Sequence, residues 1–561
     1  MLKRNNIARL IGILFLINNA EAVAATIAHQ EMVVTEQHLA SQVGENILKQ
    51  GGNAIDAAVA VGYALAVVQP CCGNIGGGGF MTAHLANGKT IFLNFREKAP
   101  LAAKADMYLD ANKNVIPDAS LKGYLAVGVP GTVLGLETAL KDYGTMSRQQ
   151  VIAPAIKLAA DGYILSDDDV KALSRATADF KAQPNVAAIF LKNDQPYQVG
   201  DRLVQKDLAN TLTLIAQNGS SVFYNGAIAK TVVQASKKNG GILSLQDFAK
   251  YKVEDNKPVV CTYRGYKIIS APPPSSGGVT LCEILNILEH YPLKKLGYHT
   301  SQSIHYTVEA MRAAFRDRNK DLGDPDFVRN PVEKLTSKNY ATKLVIKIPV
   351  YRALPSEKIS TPIGHQSTQT THYSIVDKWG NAVAVTYTLD SYFGAKVIAG
   401  DTGFFLNNEM DDFTPKPGGV NQFGLVQSAS NAIAPGKRPL SSMTPTIVMK
   451  NNKVVMVIGS PGGPRIITSV LQVILNVLDY GMSLQDAVDA PRFHHQWQPD
   501  VIDIEPNTFS AATTQQLLAM GYHLKQRDPW SVVEAIYIDP RTHVITGVND
   551  DRRPDGAAIG R

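Results

Sequence analysis

Cysteine is scarce: only four of the 561 residues, with no C-x-x-C pair, which excludes the usual zinc and iron–sulfur arrangements and a scaffold built on disulfides. No charge of one sign dominates. The 55 Lys and Arg against 49 Asp and Glu leave +6, too weak and too evenly scattered for a nucleic-acid binder. Long apolar runs are also missing beyond the amino terminus. The nearest, Ile466 to Leu478, is broken by Thr468, Ser469, Gln472 and Asn476, short of the ~20 apolar residues that span a bilayer. What is present, 45% hydrophobic and 19% charged residues, excludes a fibrous or disordered chain and suits a large buried core.

Cys71 and Cys72 are adjacent, a strained geometry for pairing with each other. Cys261 and Cys282 flank a Pro-rich loop that can bring them together, but the expectation is four small buried side chains without a chemical role. Residues Met1 to Ala24 read as a secretory leader: Lys3, Arg4 and Arg9 form its basic region, Leu10 to Ile17 its apolar one, and Ala22-Val23-Ala24 an A-x-A site with cleavage before Ala25. The expected location is therefore the periplasm or the external medium.

Helical patterning covers Gly51 to Val68 and recurs at Leu281, Ile284, Leu285 and Leu288. Between these lie Gly76-Gly77-Gly78-Gly79, Val129-Pro130-Gly131 and Pro272-Pro273-Pro274-Ser275-Ser276-Gly277-Gly278, read as loops. The four-glycine run lacks the lysine and the spacing of a phosphate cradle. From Thr370 the texture becomes period-two: Thr371 to Val376, a turn at Asp377-Lys378-Trp379-Gly380-Asn381, then Ala382 to Leu389, which spells a β-hairpin. With Trp379 at the centre of the turn, Thr370 and Thr388 are equidistant from it and face each other across the strands. Taken alone, that pair reads as ordinary sheet stabilisation.

The segment before that strand is polar and loop-like: Gln366-Ser367-Thr368-Gln369, followed by Thr370-Thr371-His372-Tyr373-Ser374. It resembles the self-processing junction of the γ-glutamyltranspeptidases, which belong to the N-terminal nucleophile hydrolases. The resemblance extends in order through Cys72-Gly73-Asn74-Ile75-Gly76-Gly77-Gly78-Gly79-Phe80, Phe95-Arg96-Glu97, the Pro272 to Gly278 run, Leu322 to Phe327, Asn407 to Phe413, Arg438 to Met443, Ser460-Pro461-Gly462-Gly463 and Ala490 to Gln496. It implies an α/β fold, a four-layer αββα sandwich, and cleavage of the Gln369–Thr370 bond by the protein itself. That yields a large subunit of residues 25–369 and a small subunit of 370–561, which remain together as a heterodimer.

The chemistry is coherent. A threonine hydroxyl is a poor nucleophile and needs a base, and within a continuous chain its own nitrogen is an amide. Once freed, an α-amine with a pKa of about 7.7–8.0 accepts the hydroxyl proton. Thr388 matches the family's second threonine, and Gly462 and Gly463 match the pair whose N–H groups stabilise the oxyanion, ahead of a helix beginning near Arg465. Arg96 matches the arginine for the substrate α-carboxylate, assisted by Ser441 and Ser442, while Asp412 and Glu409 match positions that take the α-ammonium. Two positions depart from the pattern. Asp390 stands where asparagine or glutamate is expected, and Phe423 replaces a lid tyrosine whose hydroxyl meets that residue, so an altered lid latch is expected. His372 shares the strand face of Thr370, but no acidic orienter is evident for a Thr-His arrangement. The adjacent His494 and His495 lack metal-ligand spacing, and no metal or organic cofactor is expected.

The activity implied is γ-glutamyl transfer and glutathione hydrolysis: Thr370 takes the γ-glutamyl group from glutathione or a similar compound and passes it to an amino acid, a dipeptide or water. Two alternatives stand beside it. One is a related glutaryl- or cephalosporin-type acylase, disfavoured because Asp412 would face an uncharged methylene. The other is an uncleaved, non-catalytic homologue, disfavoured by Thr370, Thr388, Gly462 and Gly463.

Overall fold

The computed structural model describes residues 25–356 and 370–561; the leader, its cleavage site and Gln366 to Gln369 lie outside them. Two seven-stranded antiparallel sheets form the centre. The first runs Ala557–Gly560, Met32–Thr35, Thr370–Val376, Ala382–Thr388, Gly78–His84, Thr90–Phe95 and Glu254–Asp255. The second runs Thr26–Ala28, Ile545–Asn549, Glu534–Ile538, Lys453–Gly459, Thr446–Lys450, Tyr266–Ser270 and Val259–Tyr263. Segments on both sides of residue 369 supply strands to each sheet.

Side-chain alternation sorts the layers. On Thr370–Val376, Tyr373 and Ile375 point outward into a core shared with the helix Ala54–Val68, whereas Val376 joins Ala382, Ala384, Val34, Ile447, Val457 and Ile536 between the sheets. The outer face is pinned by hydroxyls: Tyr373 donates to the Ala58 carbonyl at 3.0 Å and Tyr387 to the Gly62 carbonyl at 2.8 Å. Helices Gly277–Leu288, Ser301–Asp321 and Arg465–Leu478 cover the second sheet, completing the αββα sandwich.

Four sequence expectations are corrected, the first being that Gly78 and Gly79, read as loop, open the strand Gly78–His84 and pair with Thr388 and Tyr387. The helix expected over Gly51 to Val68 begins at Ala54, because Asn53 caps it: its side chain accepts from the N–H groups of Ile55 and Asp56, and Asp56 returns a bond to the Asn53 N–H. Gly277 and Gly278 are the first turn of a helix rather than loop, packed so closely that a Cβ on Gly278 would lie 2.4 Å from the Ala271 carbonyl oxygen. Cys261 and Cys282 form a disulfide, since the outer strand Val259–Tyr263 and the helix Gly277–Leu288 bring their Cα atoms to 5.9 Å; Cys71 and Cys72 are free and buried as expected.

Candidate active site

The hairpin register is the one its turn predicts. Thr370 lies opposite Thr388, and Thr370 Oγ1 donates to Thr388 Oγ1 at 3.3 Å. Asp377 closes the turn by accepting from the N–H groups of Trp379 and Asn381, and Gly380 takes the positive φ of 92° that the reversal requires. Both threonines project between the sheets at the end of their strands. Thr388 Oγ1 also accepts the Asp390 N–H at 2.9 Å, where the chain turns away with a φ of 75° at Asp390.

His372 shares that face but is directed elsewhere. Its Nδ1 bonds Thr386 Oγ1 at 2.8 Å and its Nε2 bonds Ser374 Oγ at 3.0 Å, with both ring nitrogens engaged. Burial pushes its pKa down to about 3, so the ring is neutral. It fills the space left by Gly459 on the facing sheet, where a Cβ would sit 2.2 Å from His372 Cε1. His494 and His495 are likewise buried with both nitrogens bonded, to Thr468 and Gln496 and to Trp497 and Asp500 respectively.

A cavity opens where the sheets meet, lined by Thr370, Thr388, Arg96, Asp390, Glu409, Asp412, Phe423, Ser441, Ser442 and Gly463 among others. Gly462 precedes Gly463 without lining it. The two glycines have φ of 128° and 56°, and among the described residues neither N–H has a hydrogen-bond partner. Pro464 caps the helix Arg465–Leu478 directly behind them.

Charge is concentrated on one wall. Arg96, completely buried, pairs through its two terminal nitrogens with Glu409 and Asp412 and donates through Nε to the Pro439 carbonyl at 3.2 Å. Asp390, Glu409 and Asp412 each offer an oxygen within 4.8 Å of the others, a grouping suited to an ammonium or another small cation. Glu97 lies 3.7 Å from Arg96 with neither carboxyl oxygen bonded. Burial pushes Glu97 up to about 7, and burial followed by neighbouring carboxylates raises Asp390 well above the usual range.

Phe423 stacks its ring over Gly463, where a Cβ would lie 2.7 Å from Phe423 Cδ1. The tie to Asp390 is made by its neighbour. Gln422 Nε2 donates to Asp390 Oδ2 at 2.5 Å, Ser391 Oγ donates to Gln422 Oε1 at 3.0 Å, and Asn408 Nδ2 reaches the same Asp390 oxygen at 2.9 Å. Gln422, Asn408 and Glu97 escaped the sequence reading. Gln422 was findable, being the one long amide donor beside Phe423; the other two carry no local signal.

Comparison with known proteins agrees with this geometry. A family model described as gamma-glutamyltranspeptidase matches residues 40–560. A glutathione hydrolase proenzyme from Pseudomonas sp. (strain A14) is 55% identical over 552 residues, 97% of this chain and 96% of that protein. Among solved structures, the Helicobacter pylori gamma-glutamyltranspeptidase is 52% identical with a TM-score of 0.56, covering 56% of this chain and 91% of that one. The cephalosporin acylase from Bacillus halodurans superposes with a TM-score of 0.86 at 28% identity, covering 98% and 99%.

Proposed function

Because the chain belongs to the γ-glutamyltranspeptidase family, an enzyme of glutathione hydrolysis and γ-glutamyl transfer, we infer that Thr370 carries the reaction and becomes the first residue of a separate chain. The observation that carries this reading is one cavity lined by the threonine pair, an oxyanion glycine and a wall bearing both signs of charge. In the proposed course, cleavage after Gln369 frees the Thr370 amine, which takes the hydroxyl proton as Oγ1 attacks the γ-carbonyl. Thr388 Oγ1, 3.3 Å away, holds that oxygen in line. The N–H groups of Gly462 and Gly463 bind the oxyanion, the amine leaves with a proton, and an acceptor amine or water then opens the ester. Arg96 with Ser441 and Ser442 takes the α-carboxylate, while Asp390, Glu409 and Asp412 take the α-ammonium. A carboxylate trio would be a desolvation cost with nothing to face in an acylase for glutaryl groups, which lack that ammonium.

Among the described residues no helix is long and apolar enough to cross a membrane. Export to the periplasm or medium is proposed from the leader sequence. Mass spectrometry of the purified protein is expected to show two polypeptides, the smaller beginning at Thr370, in a sample that releases glutamate from glutathione. An intact chain with full activity would refute the mechanism.

Gln422 supplies the latch that Phe423 lacks. Gln422→Ala removes one hydrogen bond to a carboxylate, worth roughly ten-fold in the closed state of the loop, and is expected to raise hydrolysis relative to transfer by up to that factor. Phe423→Tyr combined with Asp390→Asn, which rebuilds the family's usual pair, is expected to leave transfer intact. Product ratios measured with and without an acceptor dipeptide check both; an unchanged ratio in Gln422→Ala removes the latch from the account.

A further inference from the structure

Arg318, on the helix Ser301–Asp321, is a guanidinium only 1% exposed, yet every hydrogen-bond partner it has among the described residues is neutral. Its Nε donates to Ser276 Oγ at 2.9 Å, Nη1 to Asn319 Oδ1 at 2.8 Å and to Gln427 Oε1 at 3.5 Å, and Nη2 to Ser442 Oγ at 2.9 Å. Among the described residues no carboxylate lies within ion-pair distance of it; the acid whose charge acts on it is Asp412, which is already paired with Arg96. Burying a cation without an ion-pair partner is costly, so the fold maintains this one against a penalty. Burial holds its pKa down to about 10, still well above neutrality, so the charge is present.

Its position gives that charge a use. Arg96, the cation on the cavity wall, is already matched by Glu409 and Asp412, so it brings no surplus positive charge to an incoming anion. Arg318 lies behind Ser442, which lines the cavity. Since Ser442 Oγ accepts from Arg318, its own proton has no acceptor among the described residues and is left to point at a ligand. The same guanidinium holds Ser276, whose hydroxyl donates to the Ser441 carbonyl at 2.8 Å, so both cavity serines are fixed from behind by one side chain.

We propose that Arg318 is the positioning residue for the substrate α-carboxylate: it aims the Ser442 proton into the cavity and supplies the uncompensated positive charge that a carboxylate completes. The proposal rests on the γ-glutamyl reading of the site. If the unsubstituted enzyme fails to turn over γ-glutamyl-p-nitroanilide, that reading fails, whatever Arg318 does.

Arg318→Gln keeps a hydrogen-bond donor and removes the charge. It is expected to raise KM for γ-glutamyl-p-nitroanilide roughly ten-fold or more, the scale of a hydrogen bond to a charged group, with kcat close to that of the unsubstituted enzyme. With 4-aminobutanoyl-p-nitroanilide, which keeps the ammonium and lacks the carboxylate, kcat/KM is expected to stay unchanged. Arg318→Lys, retaining the charge, is expected to recover part of the KM. Equal losses on both substrates, or a fall in kcat at constant KM, would overturn the proposal in favour of a purely structural arginine. Should Arg318→Gln not fold, Arg318→Lys decides: a KM rise confined to the carboxylate-bearing substrate supports the proposal, and equal losses on both substrates overturn it.

Discussion

Thr370→Ala is expected to leave the precursor as one polypeptide and to lower turnover of γ-glutamyl substrates by on the order of 10⁶, the scale seen when a hydrolase loses its nucleophile. Among the described residues nothing near the hydroxyl can replace it. Thr388 Oγ1 accepts the Asp390 N–H and lies on the neighbouring strand, where its own nitrogen stays within the chain. His372 has both nitrogens bonded to Thr386 and Ser374 and is neutral at working pH. Thr370→Ser keeps the hydroxyl and is expected to be cleaved and active, with slower processing because the methyl that restricts χ1 is gone. Denaturing electrophoresis with amino-terminal sequencing, followed by single-turnover kinetics, separates the cases. A Thr370→Ala protein that is cleaved at the same bond, or that retains more than trace activity, contradicts the assignment of the nucleophile.

The second large effect is expected at Gly462. Its φ of 128° is a backbone conformation that side-chain-bearing residues rarely adopt, and a Cβ there would sit 2.3 Å from Ser531 Oγ. Gly462→Ala therefore must rotate the Gly462–Gly463 peptides away from the direction in which their N–H groups now point. Loss of one oxyanion donor costs about 10²–10³ in kcat while leaving substrate affinity little changed, because the donor engages a charge that exists only during reaction. A Ser531→Ala background relieves the contact but not the backbone strain, so it is expected to restore little. Steady-state kinetics on processed protein decides: kcat within ten-fold of the parent, or a loss expressed mainly in KM, would mean that these amides are not the oxyanion donors.

The hairpin was legible because it depends on local, periodic information: alternation over seven residues and a turn whose centre fixes the register, so the Thr370–Thr388 pairing followed from counting. Blocks such as Phe95-Arg96-Glu97 and Asn407 to Phe413 announced site residues by resemblance, but not how they meet. That Arg96 pairs with Glu409 and Asp412, more than 300 positions away, is a product of tertiary folding with no local trace. The disulfide between Cys261 and Cys282 was undecidable for the same reason, since its geometry depends on how a strand packs on a helix. Arg318 is the clearest case. In the chain it stands among Arg316, Asp317, Asn319 and Lys320, the ordinary texture of a solvated helix face, and only packing reveals that it is buried without an acid.

The strand Ala557–Gly560 pairs with Met32–Thr35, more than 500 positions before it in the chain, and Met32–Thr35 in turn borders the strand that starts at Thr370. The sheet holding Thr370 is thus closed by a strand made long after the one it borders, and stays incomplete until residues 557–560 have been synthesised. The self-scission proposed for the Gln369–Thr370 bond, needing the finished sheet, would then wait for that strand. The order of events guards against a premature break, after which the two pieces would have to find each other by diffusion.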